Sequence, residues 1–268
     1  MDTSTSPVPA ASSSTPPTAA ELQAELLDVP EPPEAPPTVE PPGFDQAMAV
    51  ALRYVRAKRG GDLVGIILVG SGCRKAVTPH SDIDLIVLVK GAAEGQEYIR
   101  VADWLIDIRY GEHKTVSDDI ESSPRLAPLL RKGRVLYDHE GVAGKLIDKA
   151  AQRFRQGPPP TSLHEQIRLK AECLHLLGKV EDMLERPTTA YYLLQTFFEE
   201  CVTAFFRIRG FWLTAPVDVL RFMASRDQAL GDLASQFLSA ATLHSRLTCG
   251  RRFADILFKD VPLPPRVD

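Results

Sequence analysis

Residues 64–89 read VGIILVGSGCRKAVTPHSDIDLIVLV, and the rest of the chain is organised around them. Val64–Val69 and Leu85–Val89 are apolar runs of strand length, rich in β-branched residues. Between them lie the small-residue turn Gly70-Ser71-Gly72 and a polar segment ending in Ser81. Asp82 and Asp84 stand at the mouth of the second run. Side chains alternate along a strand, so these two carboxylates project from one face, roughly 6.6–7 Å apart at Cα. Like charges that close raise each other's pKa unless a cation sits between them. Hard divalent ions such as Mg²⁺ prefer carboxylate oxygen, which makes the pair a candidate metal site.

The turn supplies a second piece of chemistry. Glycines on both sides of Ser71 let backbone N–H groups approach an anion closely, and the hydroxyl can donate as well. A strand running into such a turn and then a short helix is a phosphate cradle. No Gly-Lys-Ser/Thr follows, so it is not a Walker loop. Cradle and carboxylates together imply a metal-bound polyphosphate. Asp-Ile-Asp alone would favour a plain strand pair with a polar outer face; the turn before it and the apolar runs around it favour a site.

An apolar strand, Gly-Ser, about ten residues and Asp-Ile-Asp before another apolar strand resembles the nucleotidyltransferase superfamily that includes DNA polymerase beta. The wording TPHSDIDLIV looks closest to its small bacterial branch, the aminoglycoside nucleotidyltransferases and the minimal nucleotidyltransferases of toxin–antitoxin pairs. The resemblance spans about residues 45–140. It implies an enzyme that moves a nucleoside monophosphate, AMP from ATP as the first expectation, onto a hydroxyl acceptor. It further implies two Mg²⁺ ions held by Asp82 and Asp84, with a third carboxylate from a neighbouring strand. Gly70 and Ser71 would position the β- and γ-phosphates, and Arg74, Lys75 and Ser81 are further candidates for holding the nucleotide.

The third carboxylate is sought in a hairpin. Glu97–Ala102 and Trp104–Tyr110 alternate like two arms turning near Ala102-Asp103. Leu105, Asp107 and Arg109 share one face of the second arm. An acid inside an apolar strand is costly to bury without a partner, and Asp107 is the natural match. Asp103 competes from the turn itself, and Glu112, just past the strand, is a weaker acid–base candidate. Asp107 would act as a base or only as a metal ligand. His80 reads as a loop residue.

The 268 residues suffice for one or two domains. No apolar stretch approaches the length of a membrane span, and the N-terminus lacks a basic region followed by an apolar one, so no membrane is expected. Cys73, Cys173, Cys201 and Cys249 are scattered, with neither zinc spacing nor a disulfide framework, which suggests a reducing, cytoplasmic setting. Residues 1–43 hold eleven of the 22 prolines and no Lys or Arg, and read as a disordered acidic tail with at most a brief helix at Glu21–Leu27, or as a docking peptide. The tail carries −7 of a net −4, leaving the remainder at +3, which suits an anionic nucleotide.

The expected fold class is α+β, a small mixed sheet with flanking helices over 44–157 followed by an all-helical domain over 161–260. Asp45–Lys58 reads as a helix with Ala49, Leu52 and Val55 on one face, Thr115–Lys132 as helix interrupted by Pro124, Arg134–Asp138 as a strand and Val142–Gln156 as a helix. Gly157-Pro158-Pro159-Pro160 forms a linker. Ser162 to Glu165 is a capping-box pattern opening a helix to about Glu185, with Ile167, Leu174, Leu177 and Leu184 as its stripe. A second helix runs from Pro187 to Gly210, with more helical text to Lys259. Glu199 and Glu200 fall away from the apolar stripe, and Arg168 and His175 read as surface residues. No basic run with interleaved aromatics appears, so nucleic acid is not expected as a partner. Three acceptor readings stay open: a small molecule such as an aminoglycoside, a hydroxyl on a protein partner, or no catalysis in a nucleotide-binding interaction protein.

Overall fold

The computed structural model describes residues 43–73, 77–78, 80–91 and 95–267. The tail expected over residues 1–43, all but Gly43, and the helical start expected at Arg74, Lys75 and Ala76 lie outside these residues.

Chain order is α1 (Phe44–Arg59), β1 (Leu63–Val69), a 3₁₀ turn (Gly70–Cys73), β2 (Ile83–Val89), β3 (Gly95–Val101) and β4 (Trp104–Glu112). There follow α2 (His113–Ser122), α3 (Leu126–Leu130), β5 (Arg134–Asp138) and α4 (Val142–Arg155). The strands form one mixed sheet in the order β3-β4-β2-β1-β5. β1 pairs antiparallel with β2 and β5, β3 pairs antiparallel with β4, and β2 runs parallel to β4. β1 is buried along its whole length because helices cover both faces of the sheet centre, which is why LVGIILV is a continuous apolar run.

On one face α1 lays Phe44, Ala47, Met48, Ala51 and Val55 over Ile66, Leu68, Leu85, Val87, Ile106 and Ile108. On the other, Val116, Ile120, Leu130, Leu146 and Ala150 from α2, α3 and α4 pack on Ile67, Val69, Ile86 and Leu88. This second layer leaves β3 and the adjoining part of β4 open: Gln96, Tyr98, Arg100, Leu105 and Arg109 are exposed there.

The strands and helices fall where the patterning places them, with local corrections. Ala49 is exposed, and α1 buries Ala47, Met48 and Ala51 instead. Residues 47–52 are all apolar and fit more than one stripe, and the partner sheet decides among them. Leu184 is also exposed, lying beyond the helix end at Asp182.

The helical region comprises α5 (Leu163–Asp182), α6 (Pro187–Ile208), α7 (Val219–Arg226), α8 (Gln228–Ser239) and α9 (Leu243–Leu257). Its core is aromatic, built on Phe197, Phe198, Phe205, Phe206, Phe237 and Phe253. Of the expected capping box, half forms: Ser162 Oγ accepts from Glu165 N, but the Glu165 carboxylate turns outward to Arg168 and Arg207, at 2.7 and 2.8 Å. Two guanidiniums outcompete one backbone N–H for that carboxylate. Glu199, Glu200 and His175 are exposed, as is Arg168. Among the described residues no helix is long and apolar enough to cross a membrane.

α7 and α8 approach closely at Gly231, where a Cβ would lie 2.4 Å from Ala224 Cα. Gly231→Ala is therefore expected to lower stability by about 1–2 kcal/mol, overpacking against backbone outweighing the helix-propensity gain. Thermal denaturation checks this; an unchanged or raised Tm would mean that α7 yields freely.

Candidate active site

Two strand pairings assemble the site. β2 is buried throughout except at Asp84, whose register partners are Val69 on β1 and Asp107 on β4. The parallel pairing of β2 with β4 thus sets the two carboxylates side by side on adjacent strands. Asp107 is only 4% exposed, while Asp82 precedes β2 and is half-buried. β1 ends directly at Gly70, whose φ of +70° turns the chain back over the sheet. A Cβ there would stand 2.2 Å from Asp84 Oδ2, so the turn backbone abuts the carboxylate and only glycine fits. Ser71 follows within the same 3₁₀ turn.

Asp84 is pushed up from its ordinary value to about 6, first by burial, then by the charges of Asp82 and Asp107, with Arg109 opposing. Asp107 is held from two sides. Gln96 Nε2 donates to both of its oxygens at 2.8 and 2.9 Å, and Arg109 Nη2 donates to Oδ2 at 3.0 Å. Ser81 Oγ accepts from Thr78 N at 2.9 Å and stabilises the loop that delivers Asp82. Asp103 sits in the β3–β4 turn, Glu112 ends β4 five residues past Asp107, and His80 is an exposed loop residue. Arg74 and Lys75 lie outside the described residues.

The donor set suits a hard cation. Asp82, Asp84 and Asp107 offer oxygen alone, and their mutual repulsion, visible in the raised Asp84 pKa, is what a bound cation would relieve. As they stand, no three His, Cys, Asp or Glu side chains among the described residues are gathered into a metal-holding group. The engagement of Asp107 by Gln96 and Arg109 is one competing interaction.

Sequence reasoning missed Gln96 and Tyr98. The signal was present: a two-residue turn at Ala102-Asp103 fixes a register that sets Tyr98 opposite Asp107 and Gln96 opposite Arg109, as observed. A cleft of about 520 Å³ lies between α2 and α4, lined in part by Lys114, Lys145 and Lys149 and by none of the candidate site residues. Trp212, just after the second bundle helix, joins the sheet domain at α4: its Nε1 donates to Phe154 O at 3.0 Å and its ring stacks on Phe154.

Residues 50–124 match the family model of the nucleotidyltransferase domain. The matched segment is that of an enzyme, with transfer of a nucleoside monophosphate as its chemistry and a nucleoside triphosphate as its donor. Comparison with curated proteins finds no relative by sequence. Among solved structures, the chain is similar to a nucleotidyltransferase-like protein from Exiguobacterium sibiricum 255-15, with a TM-score of 0.47 and 16% identity over 81% of this chain and 75% of that one.

Proposed function

We propose, from the nucleotidyltransferase domain at residues 50–124, that this protein transfers AMP from ATP to a hydroxyl on a small molecule, an aminoglycoside being one candidate class. The observation that carries the reading is the juxtaposition of Asp84 and Asp107 on adjacent strands, with the Gly70 backbone pressed against Asp84. Asp82, Asp84 and Asp107 are the residues that would hold Mg²⁺, two ions in this reading. Bound there, the cations would neutralise phosphate charge and make the acceptor hydroxyl more acidic.

The chain's own residues do the rest. Gly70 N–H and the Ser71 hydroxyl hold the β- and γ-phosphates, with Arg74, Lys75 and Ser81 as supporting contacts. Arg109 and Gln96 fix the Asp107 carboxylate. In this reading Asp107 either takes the proton of the acceptor hydroxyl directly or acts on it only as a metal ligand. The acceptor oxygen bonds to the α-phosphorus, the bond to the bridging oxygen of the β-phosphate breaks, and pyrophosphate leaves. Residues 161–260 form the substrate or partner side in this proposal. The acidic, proline-rich text of residues 1–43 favours a second reading, a hydroxyl on a protein partner as acceptor.

The test is pyrophosphate release from each NTP with Mg²⁺ across a panel of acceptors, with and without chelator. Release is expected with ATP and one acceptor class, and chelator is expected to abolish it. Label appearing on protein selects the second reading. Absence of NTP binding in the presence of Mg²⁺ would overturn nucleotidyl transfer in favour of an interaction module.

A further inference from the structure

Tyr98 and Leu105 are apolar side chains left uncovered beside a buried carboxylate. They are 60% and 42% exposed, and neither belongs to any of the packed cores. Tyr98 is the register partner of Asp107, and Leu105 lies two residues from Asp107 on the same strand and face. The Tyr98 ring is also tethered: Gln96 Nε2 donates to Tyr98 Oη at 2.7 Å while bonding the Asp107 carboxylate. An exposed tyrosine gives up rotamer freedom when something stacks on it, and a hydrogen bond to its hydroxyl lowers that cost.

The position of this patch defines what it faces. In the sheet order β3-β4-β2-β1-β5, the Gly70–Ser71 turn follows β1 and Tyr98 lies on β3, three strand spacings or roughly 14 Å away. Asp107 on β4 stands between them. A donor with its phosphates at the turn covers β1 and β2, so a hydroxyl presented at Asp107 belongs to a molecule whose body covers β4 and β3. The charge there is one-sided. Among the described residues of β3 and β4, Arg100 and Arg109 are the charged groups on this open face beyond Asp107. A polycation meets these two guanidiniums here, whereas a planar ring finds a flat, oriented partner.

We propose that Tyr98, tethered by Gln96 and flanked by Leu105, is the stacking platform for the acceptor, and that the acceptor carries a planar ring without positive charge. The word acceptor rests on the transfer reading above, and among that reading's candidates this one takes the place of the aminoglycoside; the platform itself does not rest on it. Tyr98 and Leu105 contact the ring, and Gln96 acts through Tyr98 as a positioning residue.

The experiment is saturation-transfer NMR on the full chain with Mg²⁺ and a non-hydrolysable ATP analogue, using N-acetyltyrosinamide as the planar neutral probe and kanamycin as the cationic one. Ring protons of N-acetyltyrosinamide are expected to saturate with wild type, about tenfold more weakly with Tyr98→Ala, and by an intermediate amount with Gln96→Ala and Tyr98→Phe, which keep the ring but lose the tether. Kanamycin is expected to show little transfer, unchanged by Tyr98→Ala. No saturation of the planar probe by wild type, or equal saturation by wild type and Tyr98→Ala, overturns the platform, as does kanamycin binding that depends on Tyr98. Binding of the ATP analogue is read in the same samples. If the analogue binds and the planar probe does not, the platform fails alone; if the analogue does not bind, the transfer reading fails, and Tyr98-dependent saturation still decides the platform.

Discussion

Asp82→Asn and Asp84→Asn are each expected to lower pyrophosphate release by about 10³-fold or more while leaving the fold intact. Replacing a carboxylate by its amide keeps the shape and removes a negative oxygen donor, and a 10³-fold loss corresponds to about 4 kcal/mol of transition-state stabilisation. Asp84→Asn carries a second signature. Asp84 in the folded chain has a pKa of about 6, above its ordinary 3.8, with burial first and Asp82 and Asp107 next among the causes. The folded state therefore binds this proton more tightly than the unfolded state, and stability attributable to Asp84 falls as pH rises between these values. The cost is complete above about 6 and absent below the ordinary carboxylate range.

Asn at 84 removes that cost. With chelator at pH 8, Asp84→Asn is expected to be more stable than wild type by about 1–2 kcal/mol, the pKa shift being discounted for partial solvation, or roughly 2–6 °C in Tm. The difference should vanish as pH falls to 4. Added Mg²⁺ and NTP should then stabilise wild type and not the variant, reversing the ranking by mass action. Scanning calorimetry over pH 4–8, with and without Mg²⁺, makes the measurement. A variant that keeps full turnover would remove Asp84 from the site, and one that is destabilised at pH 8 would mean that the carboxylate is held by partners rather than crowded by charge.

Gly70→Ala is expected to be nearly as damaging to activity and more damaging to the fold. Its φ of +70° is a region that an alanine occupies at a cost of about 1 kcal/mol or more. Its Cβ would stand 2.2 Å from Asp84 Oδ2, a distance that requires the carboxylate or the turn to move. Together these should reduce stability by about 2–3 kcal/mol. The displaced turn should raise KM for the NTP and lower kcat about 10²-fold, because a displacement near 1 Å at a positioned reacting group has effects of that size. A double-mutant cycle with Asp84→Ala separates the terms: removing the clashing carboxylate should recover the steric part of the stability loss and leave the backbone part. Additive losses would place the damage wholly in the backbone.

The legible parts of this protein share a range. The strand runs at 64–69 and 85–89, the Gly-Ser-Gly turn and the Asp-Ile-Asp spacing are local patterns, and they are found where the patterning places them. Arg134–Asp138 was legible for the same reason. The stripe of α1 was less so: Ala47, Met48, Ala49 and Ala51 are all apolar, and only the sheet beneath selects which of them are buried. The capping box of α5 failed halfway because Arg207, 42 residues beyond Glu165, claims the carboxylate.

The sequence by itself determined the residue types and their local order: a Gly-Ser-Gly turn, two acids one residue apart at the start of a strand and a third acid inside an apolar strand. The tertiary structure alone decided that β2 lies parallel to β4, so that Asp84 and Asp107 meet, and that burial and neighbouring charge raise Asp84 to about 6. It also decided that the helices of the second layer stop short of β3, leaving Tyr98 in the open and tied to Asp107 through Gln96. The physical reason is that side-chain alternation and turn geometry act between neighbours in sequence, whereas strand pairing, helix cover and electrostatic crowding act between residues that meet only in the folded chain.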